Sequence, residues 1–233
     1  MHVHELNWMQ LEEYLRRDDR IVLPIASTEQ HAFLSLGTDN ILAERVSLGA
    51  AEPLGVPVLP VLPYGLTPAF TAYPGSPSLR FETLIAVLRD VLDSLHAQGF
   101  GRFLIVNAHG GNAPASGLVR EWTADHPGAQ AIFHSWFNGP KVLEVAHSID
   151  AEYSHANWGE DFPWTRLEGV EVPSEPKPML DEAEYRVAGP ERVRELLGDG
   201  SFGGLYRRSD EEMQRIWEAG VGEVRELLES GWR

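Results

Sequence analysis

The chain has 233 residues, 43% of them hydrophobic, which is enough for one large α/β domain with a substantial core. Its 19 basic and 35 acidic residues leave a net charge of −16, a surface that disfavours nucleic acid and anionic membranes but leaves room for a small anionic substrate beside a metal. There is no cysteine, so disulfides, thiolate zinc sites and cysteine nucleophiles are all excluded, and any metal must be held by His, Asp and Glu.

Taken in chain order, residues 5–18 place Leu6, Met9, Leu11, Tyr14 and Leu15 at roughly helical spacing. Residues 21–27 read as a first strand. A helix with Ile41, Leu42, Val46 and Leu48 on its apolar side follows over 40–51, ended by Pro53 and Gly55. Residues 56–62 are expected to form a second, proline-punctuated strand, and 64–78 a long loop carrying Tyr64, Phe70 and Tyr73, of the kind that is often functional. The periodic run Leu84, Ile85, Leu88, Val91, Leu92 and Leu95 predicts a helix over 81–97, closed by Gly99. Residues 102–107 form an almost uninterrupted apolar strand, suited to a parallel position covered on both faces.

Another helical pattern runs to about Asp125, and residues 129–136 are expected to be a fourth strand. Further helices are expected over 141–148, 190–197 and 210–230, with loops over 170–178 and 198–206. Strands alternating with helices imply βαβ crossovers. The expectation is therefore a single α/β domain over residues 1–233, with a mostly parallel central sheet flanked by helices. Such sheets bind ligands beyond the carboxyl ends of their strands, which is where Glu29, His31 and His109 fall. No internal repeat, secretory apolar region or membrane-length apolar span is evident, so the expected location is the cytoplasm.

Three constellations carry the chemistry. The first strand runs into Glu29 and His31, two residues apart and so on the same side of an extended segment, with Asp39 at the start of the next helix. A two-metal site needs a bridging carboxylate with terminal ligands on either side. Asp39 would be the bridge and Glu29 and His31 would each serve one ion; the plainer reading is that Asp39 caps its helix and His31 is a surface residue. In Asn107-Ala108-His109-Gly110-Gly111-Asn112, the two glycines let backbone approach a ligand closely, and N–H groups near Gly110 and Gly111 could meet an oxyanion. The competing reading is a glycine turn with a bystander histidine. In the segment from His155 to Trp164, Glu160 could be a further ligand and His155 a proton carrier, with Trp158 and Trp164 walling the pocket; alternatively the tryptophans only pack this segment onto the core.

Ser27-Thr28-Glu29-Gln30-His31, Gly37-Thr38-Asp39, Tyr73-Pro74-Gly75-Ser76, Asn107-Ala108-His109-Gly110-Gly111-Asn112 and His155-Ala156, in this order, resemble the creatininase (creatinine amidohydrolase) family. The resemblance implies a compact α/β domain with one or two divalent ions (Zn, Mn or Fe) at the carboxyl edge of its sheet. It implies Glu29, His31, Asp39 and His109 as metal ligands, with Glu160 as the family's later acidic residue; the reading of the residues themselves adds Glu160 as a further ligand, His155 and Glu160 as catalytic groups, and Ser76, Gly110, Gly111, Trp158 and Trp164 at the substrate. The implied activity is attack by a metal-activated hydroxide on the carbonyl of a small cyclic or formyl amide, or opening of an oxidised inositol ring; a non-catalytic binding relative is the alternative. The implied assembly is a homo-oligomer, a hexamer in the family. The chain also departs from the family: Ala32-Phe33-Leu34 stands where Gly-Pro-His is common, Gly111 where creatininases carry an acidic ligand, and Asn157-Trp158 where Gly-Glu is usual. These departures mark a divergent member rather than a true creatininase.

Overall fold

The computed structural model describes residues 1–232. A turn of 3-10 helix at Val3–Glu5 leads to α1 (Trp8–Leu15), whose start is set by a capping box between Asn7 and Gln10. The helix therefore begins later than the apolar spacing alone predicts. Next come β1 (Arg20–Ile25), α2 (Thr38–Ala51), α3 (Phe81–Ala97), β2 (Arg102–Asn107), α4 (Ser116–Asp125), β3 (Gln130–Ser135) and α5 (Pro140–Ile149). The chain ends in α6 (Glu182–Tyr185), α7 (Pro190–Leu197) and α8 (Asp210–Ser230), the last with its own capping box between Ser209 and Glu212.

The sheet has three strands in the order β1-β2-β3, all parallel. The alternation of side chains divides the core in two. Val22 on β1, with Leu104 and Val106 on β2, packs against α2, α5 and α8. Ile21, Leu23 and Ile25, with Phe103 and Ile105, pack against α3 and α4 on the other face. Burial on both sides is why these strands read as continuous apolar runs rather than alternating ones.

The expected second strand over 56–62 is not one. The segment runs beside β1 and exchanges hydrogen bonds only at two places: Val22 and Leu59 with their partners at Pro57 and Val22, then Ala26 and Leu62 with theirs at Leu62 and Pro24. Pro57 and Pro60 have no N–H, and Pro24 removes a donor on the same side of β1 as those of Val22 and Ala26, so a continuous ladder cannot form. The sheet therefore has three strands rather than the four read from the pattern. No helix among the described residues is long and apolar enough to cross a membrane.

Candidate metal centre

The carboxyl ends of β1 and β2 lie side by side, Ile25 opposite Asn107, and both chains leave the sheet into tightly tied loops. Asn107 accepts from the His109 backbone N–H and donates to the His109 carbonyl and to Ser135 Oγ on the neighbouring strand. Asn112 donates to the Ala26 carbonyl and accepts from Leu66 N–H, joining the two loops to the 64–78 segment. Asn107 and Asn112 thus do structural work on either side of the histidine. Among the described residues, the two with positive φ other than glycine are Ala32 (50°) and Ala156 (54°), each directly after a histidine of the site; strained backbone of this kind persists only where the surroundings impose it.

These loops bring six ionisable groups together. Asp39 lies in the first turn of α2 but does not cap it: the N-cap is Gly37, with no side-chain capping bond. Instead its two oxygens face two imidazoles, Oδ1 at 3.0 Å from His31 Nε2 and Oδ2 at 3.1 Å from His109 Nδ1. Glu29 Oε1 is 3.2 Å from the same His109 nitrogen, and Glu160 Oε2 is 3.7 Å from His31 Nε2. Three donor triads result: Glu29–Asp39–His109 and His31–Asp39–Glu160, which share Asp39, and Glu29–His31–His155. Glu160 is placed by a 3-10 turn, Trp158–Glu160, which Asn157 caps through Gly159 N–H, and its Oε2 accepts from the Ala156 backbone N–H at 2.6 Å.

The far nitrogens of the imidazoles decide what the near ones can do. His109 Nε2 donates to the Leu66 carbonyl at 2.8 Å, and His31 Nδ1 to the Glu29 carbonyl at 3.2 Å. A carbonyl can only accept, so each neutral ring turns a bare nitrogen toward the carboxylates, the arrangement of a metal ligand with its supporting hydrogen bond. His155 is wired the opposite way. Gln30 is held by Ala32 N–H on its oxygen and by the Gly200 carbonyl on its nitrogen, and that nitrogen donates to His155 Nε2 at 2.9 Å. The proton of a neutral His155 is thereby kept on Nδ1, which points between Glu29 (4.0 Å) and Glu160 (3.9 Å). His155 offers a proton where His31 and His109 offer lone pairs.

The carboxylates call for positive charge at His31 and His109, a demand that a bound cation would take over from a ring proton, while burial leaves His155 neutral. Burial disfavours the charged form of His31, but Asp39 and Glu160 outweigh it and push the ring up to about 10. Burial likewise opposes charge on His109, yet Glu29 and Asp39 raise it well above its ordinary value. Asp39 is held well below the usual carboxylate range by His31 and His109 despite its burial. Burial, and then the charge of His31, press His155 down to about 3, and burial lifts Glu160 to about 7. The cluster thus demands positive charge strongly, except at His155.

A divalent cation fits this donor set. Glu29 is 1% exposed and Asp39 is 1% exposed, yet both Glu29 carboxylate oxygens and Asp39 Oδ2 lack a well-aligned hydrogen-bond partner among the described residues. Buried carboxylate oxygens left bare are costly unless something cationic meets them. Imidazole and carboxylate donors without sulfur suit zinc, manganese or iron.

A cavity of about 860 Å³ opens on the cluster. Gly110 and Gly111 line it. Gly111 lies so close to the 64–78 loop that a Cβ there would stand 1.9 Å from the Leu66 carbonyl oxygen and 2.4 Å from His109 Nε2. This backbone therefore has no room for the acidic side chain of creatininases at that position. The other expected substrate contacts lie elsewhere. Ser76 is buried and its hydroxyl accepts from Gln30 N–H, so it supports the loop rather than the pocket. Trp158 is fully buried in the core face shared with α2, α5 and α8 and donates to the Glu152 carbonyl. Trp164 stacks on Phe162 and meets Trp217 edge-on, with Arg45 over its ring. Neither tryptophan lines the cavity; their packing role prevails because both indoles face the inner helices. Asp161 points away from the cluster, paired with Arg166 and Arg207. The pocket walls come instead from Phe70, Phe137, Tyr153, Tyr185 and Phe202. Only Phe70, inside the long aromatic loop, lies on a segment whose sequence signals a function. Gln30 had no signal beyond its place between two ligands.

A model of the creatininase family, described as creatinine amidohydrolase, matches residues 4–228. The creatinine amidohydrolase of Pseudomonas putida is 30% identical over 114 residues, 46% of this chain and 44% of that protein, so the match spans less than half of the relative. The 3-dehydro-scyllo-inosose hydrolase of Thermotoga maritima is 25% identical over 208 residues, 84% of this chain and 67% of that protein. A solved creatininase described as Mn and a mutant creatininase of the Zn-Zn type are each 21% identical. Both superpose with a TM-score of 0.80 over 99% of this chain and over 98% and 97% of their own, respectively, and so share its fold. By the extent of the family match, reinforced by the Glu29, His31, Asp39 and His109 motifs it contains, this chain belongs to the creatininase family.

Proposed function

We propose that the protein is a metal-dependent hydrolase of the amide carbonyl of a small molecule. The observation that carries the reading is Asp39, a buried carboxylate shared by two donor triads whose histidines, once neutral, each turn an unprotonated nitrogen toward it. Glu29, Asp39 and His109 would hold one divalent ion, and His31, Asp39 and Glu160 a second. When bound, such ions lower the pKa of water and polarise a carbonyl oxygen.

The chain's own residues supply the rest. His155 Nδ1–H, kept protonated by Gln30, is the hydrogen-bond donor to the substrate carbonyl oxygen as charge develops there. Glu160, beside it, takes the proton of the attacking water and returns it to the leaving nitrogen, so that amide plus water becomes acid plus amine. The walls of the pocket keep bulk water from the reacting atoms.

The test begins with chelated protein, to which zinc, manganese or iron is added back. Each form is then screened against lactams, formamides, creatinine and keto-inositols. Hydrolysis that returns with metal supports the reading; protein that takes up none of the three ions and turns over nothing sinks it. Assembly into a hexamer is part of the same proposal through the family, and sedimentation velocity of the full chain checks it.

A further inference from the structure

We infer that the substrate carries an aromatic or comparably bulky apolar group next to its scissile carbonyl, a class set by the walls of the pocket and resting on the hydrolase reading above. Glu29, Asp39, His109, His155 and Glu160 of the centre line the cavity. An aromatic panel adjoins them through His155. Phe70 lies nearly parallel to the His155 ring at 4.9 Å, Phe202 meets the same ring at 4.9 Å, and Tyr185 meets Phe202 edge-on at 5.0 Å. Phe137 and Tyr153 line the same cavity, and Phe81, 48% exposed, stands at its lining as well.

The size and chemistry of this cavity exclude the simpler occupants. Its volume of about 860 Å³ falls toward the upper end of the range that accommodates whole drug-sized ligands, roughly 300–1,000 Å³, and a bare five-membered lactam would leave most of it unfilled. A ring polyol would fare worse. Each hydroxyl moved from water needs a hydrogen-bond partner; away from the metal centre the polar side chains of the walls are Thr67, Asn138, Ser154, Arg80 and Glu82, with the hydroxyls of Tyr153, already bonded to the Phe137 carbonyl, and Tyr185. Aromatic rings, by contrast, gain from edge-on and offset contacts with rings already arranged this way. Because Phe70 and Phe202 both touch the His155 ring and Tyr185 touches Phe202, a carbonyl held beside His155 has this panel within reach of its substituent.

Hydroxamates separate this inference from the reading beneath it, because they bind a metal centre without being hydrolysed. The zinc-loaded full-length protein is titrated in a calorimeter with acetohydroxamate, benzohydroxamate and phenylacetohydroxamate, and the chelated protein serves as reference. The aryl compounds are expected to bind about 10–100-fold more tightly than the acetyl compound, the gain for burying one phenyl ring. In Phe81→Ser and Tyr185→Ser proteins that ratio should shrink by several fold. Phenylacetamide should exceed acetamide in kcat/KM by a comparable factor. Equal affinity for all three hydroxamates, or tighter binding of a keto-inositol than of the aryl compounds, overturns the substrate class while leaving the metal centre standing. Failure of every hydroxamate to distinguish loaded from chelated protein overturns the hydrolase reading itself, and the substrate class with it.

Discussion

Replacing Gly111 by alanine tests how the metal-binding loop is built. The added Cβ would sit 1.9 Å from the Leu66 oxygen and 2.4 Å from His109 Nε2, two atoms that are themselves joined by a 2.8 Å hydrogen bond. One of them must move. Overpacking of this sort costs about 1–3 kcal/mol, and separating a buried donor from its acceptor costs about 1–3 kcal/mol more. A net loss of about 3 kcal/mol corresponds to a fall in Tm of about 6–12 °C for a domain of this size. The same movement frees the His109 ring, and loss of such a supporting hydrogen bond weakens metal binding by about 10–100-fold. Gly110→Ala is the internal control: its Cβ meets nothing within 4 Å, so a change within about 0.5 kcal/mol is expected. Calorimetric melting and zinc titration of both variants decide the matter. If Gly111→Ala melts within a degree of the parent and binds zinc equally well, the claim that backbone closeness positions His109 is wrong.

Asp39→Asn should abolish binding of both ions, because one carboxylate serves both triads; elemental analysis showing one ion retained at full occupancy would contradict a shared ligand. His155→Ala should keep its metal but lose about 100–1,000-fold in kcat, the usual loss for one oxyanion donor, and turnover within tenfold of the parent would remove His155 from the chemistry. Gln30→Leu should lower kcat with metal content unchanged, since it frees the proton of His155 to sit on either nitrogen; an unchanged kcat would show that Gln30 only packs. His134 provides a pH-dependent check away from the metal centre. Burial presses this ring down to about 4, and its Nε2 has no hydrogen-bond partner. Between about pH 6.5 and 4 the unfolded chain therefore takes up a proton that the folded chain refuses. Its contribution is fully present above that window and is lost as pH falls through it, by at most about 3 kcal/mol. His134→Phe should flatten the acid side of the stability curve, as read by denaturant unfolding at pH 7 and pH 5. Parallel curves for parent and variant would refute it.

Of the candidate metal ligands, Glu29, His31, Asp39 and His109 were legible because they stand just beyond a buried strand or at a helix start, where period-two and helical patterns change over; Glu160, in a 3-10 turn, has no such signal. Glu29, His31 and His109 could be placed at a sheet edge from alternation alone, and Asp39 at the entry to α2, but whether Asp39 caps that helix or faces the imidazoles is a matter of its rotamer and its neighbours. The strand at 56–62 was misread because propensity is local, whereas a ladder needs donors on both partners. Pro24, Pro57 and Pro60 break that ladder only when their segments lie side by side.

What the residues determined on their own was the covering of the sheet on both faces, the family, and the identity of the groups able to hold a cation, since these depend on side-chain chemistry and short-range spacing. Tertiary structure alone decided that Trp158 and Trp164 belong to the core, that Gln30 sets the proton of His155, and that Tyr153, Tyr185 and Phe202 wall the pocket. Apart from Tyr185, at the end of the one-turn helix α6, those residues come from irregular segments or a 3-10 turn with no period to read. Where such segments lie is settled by packing between parts of the chain far apart in sequence: Gln30 meets His155 across 125 residues, and Asn157 meets Gly203 across 46.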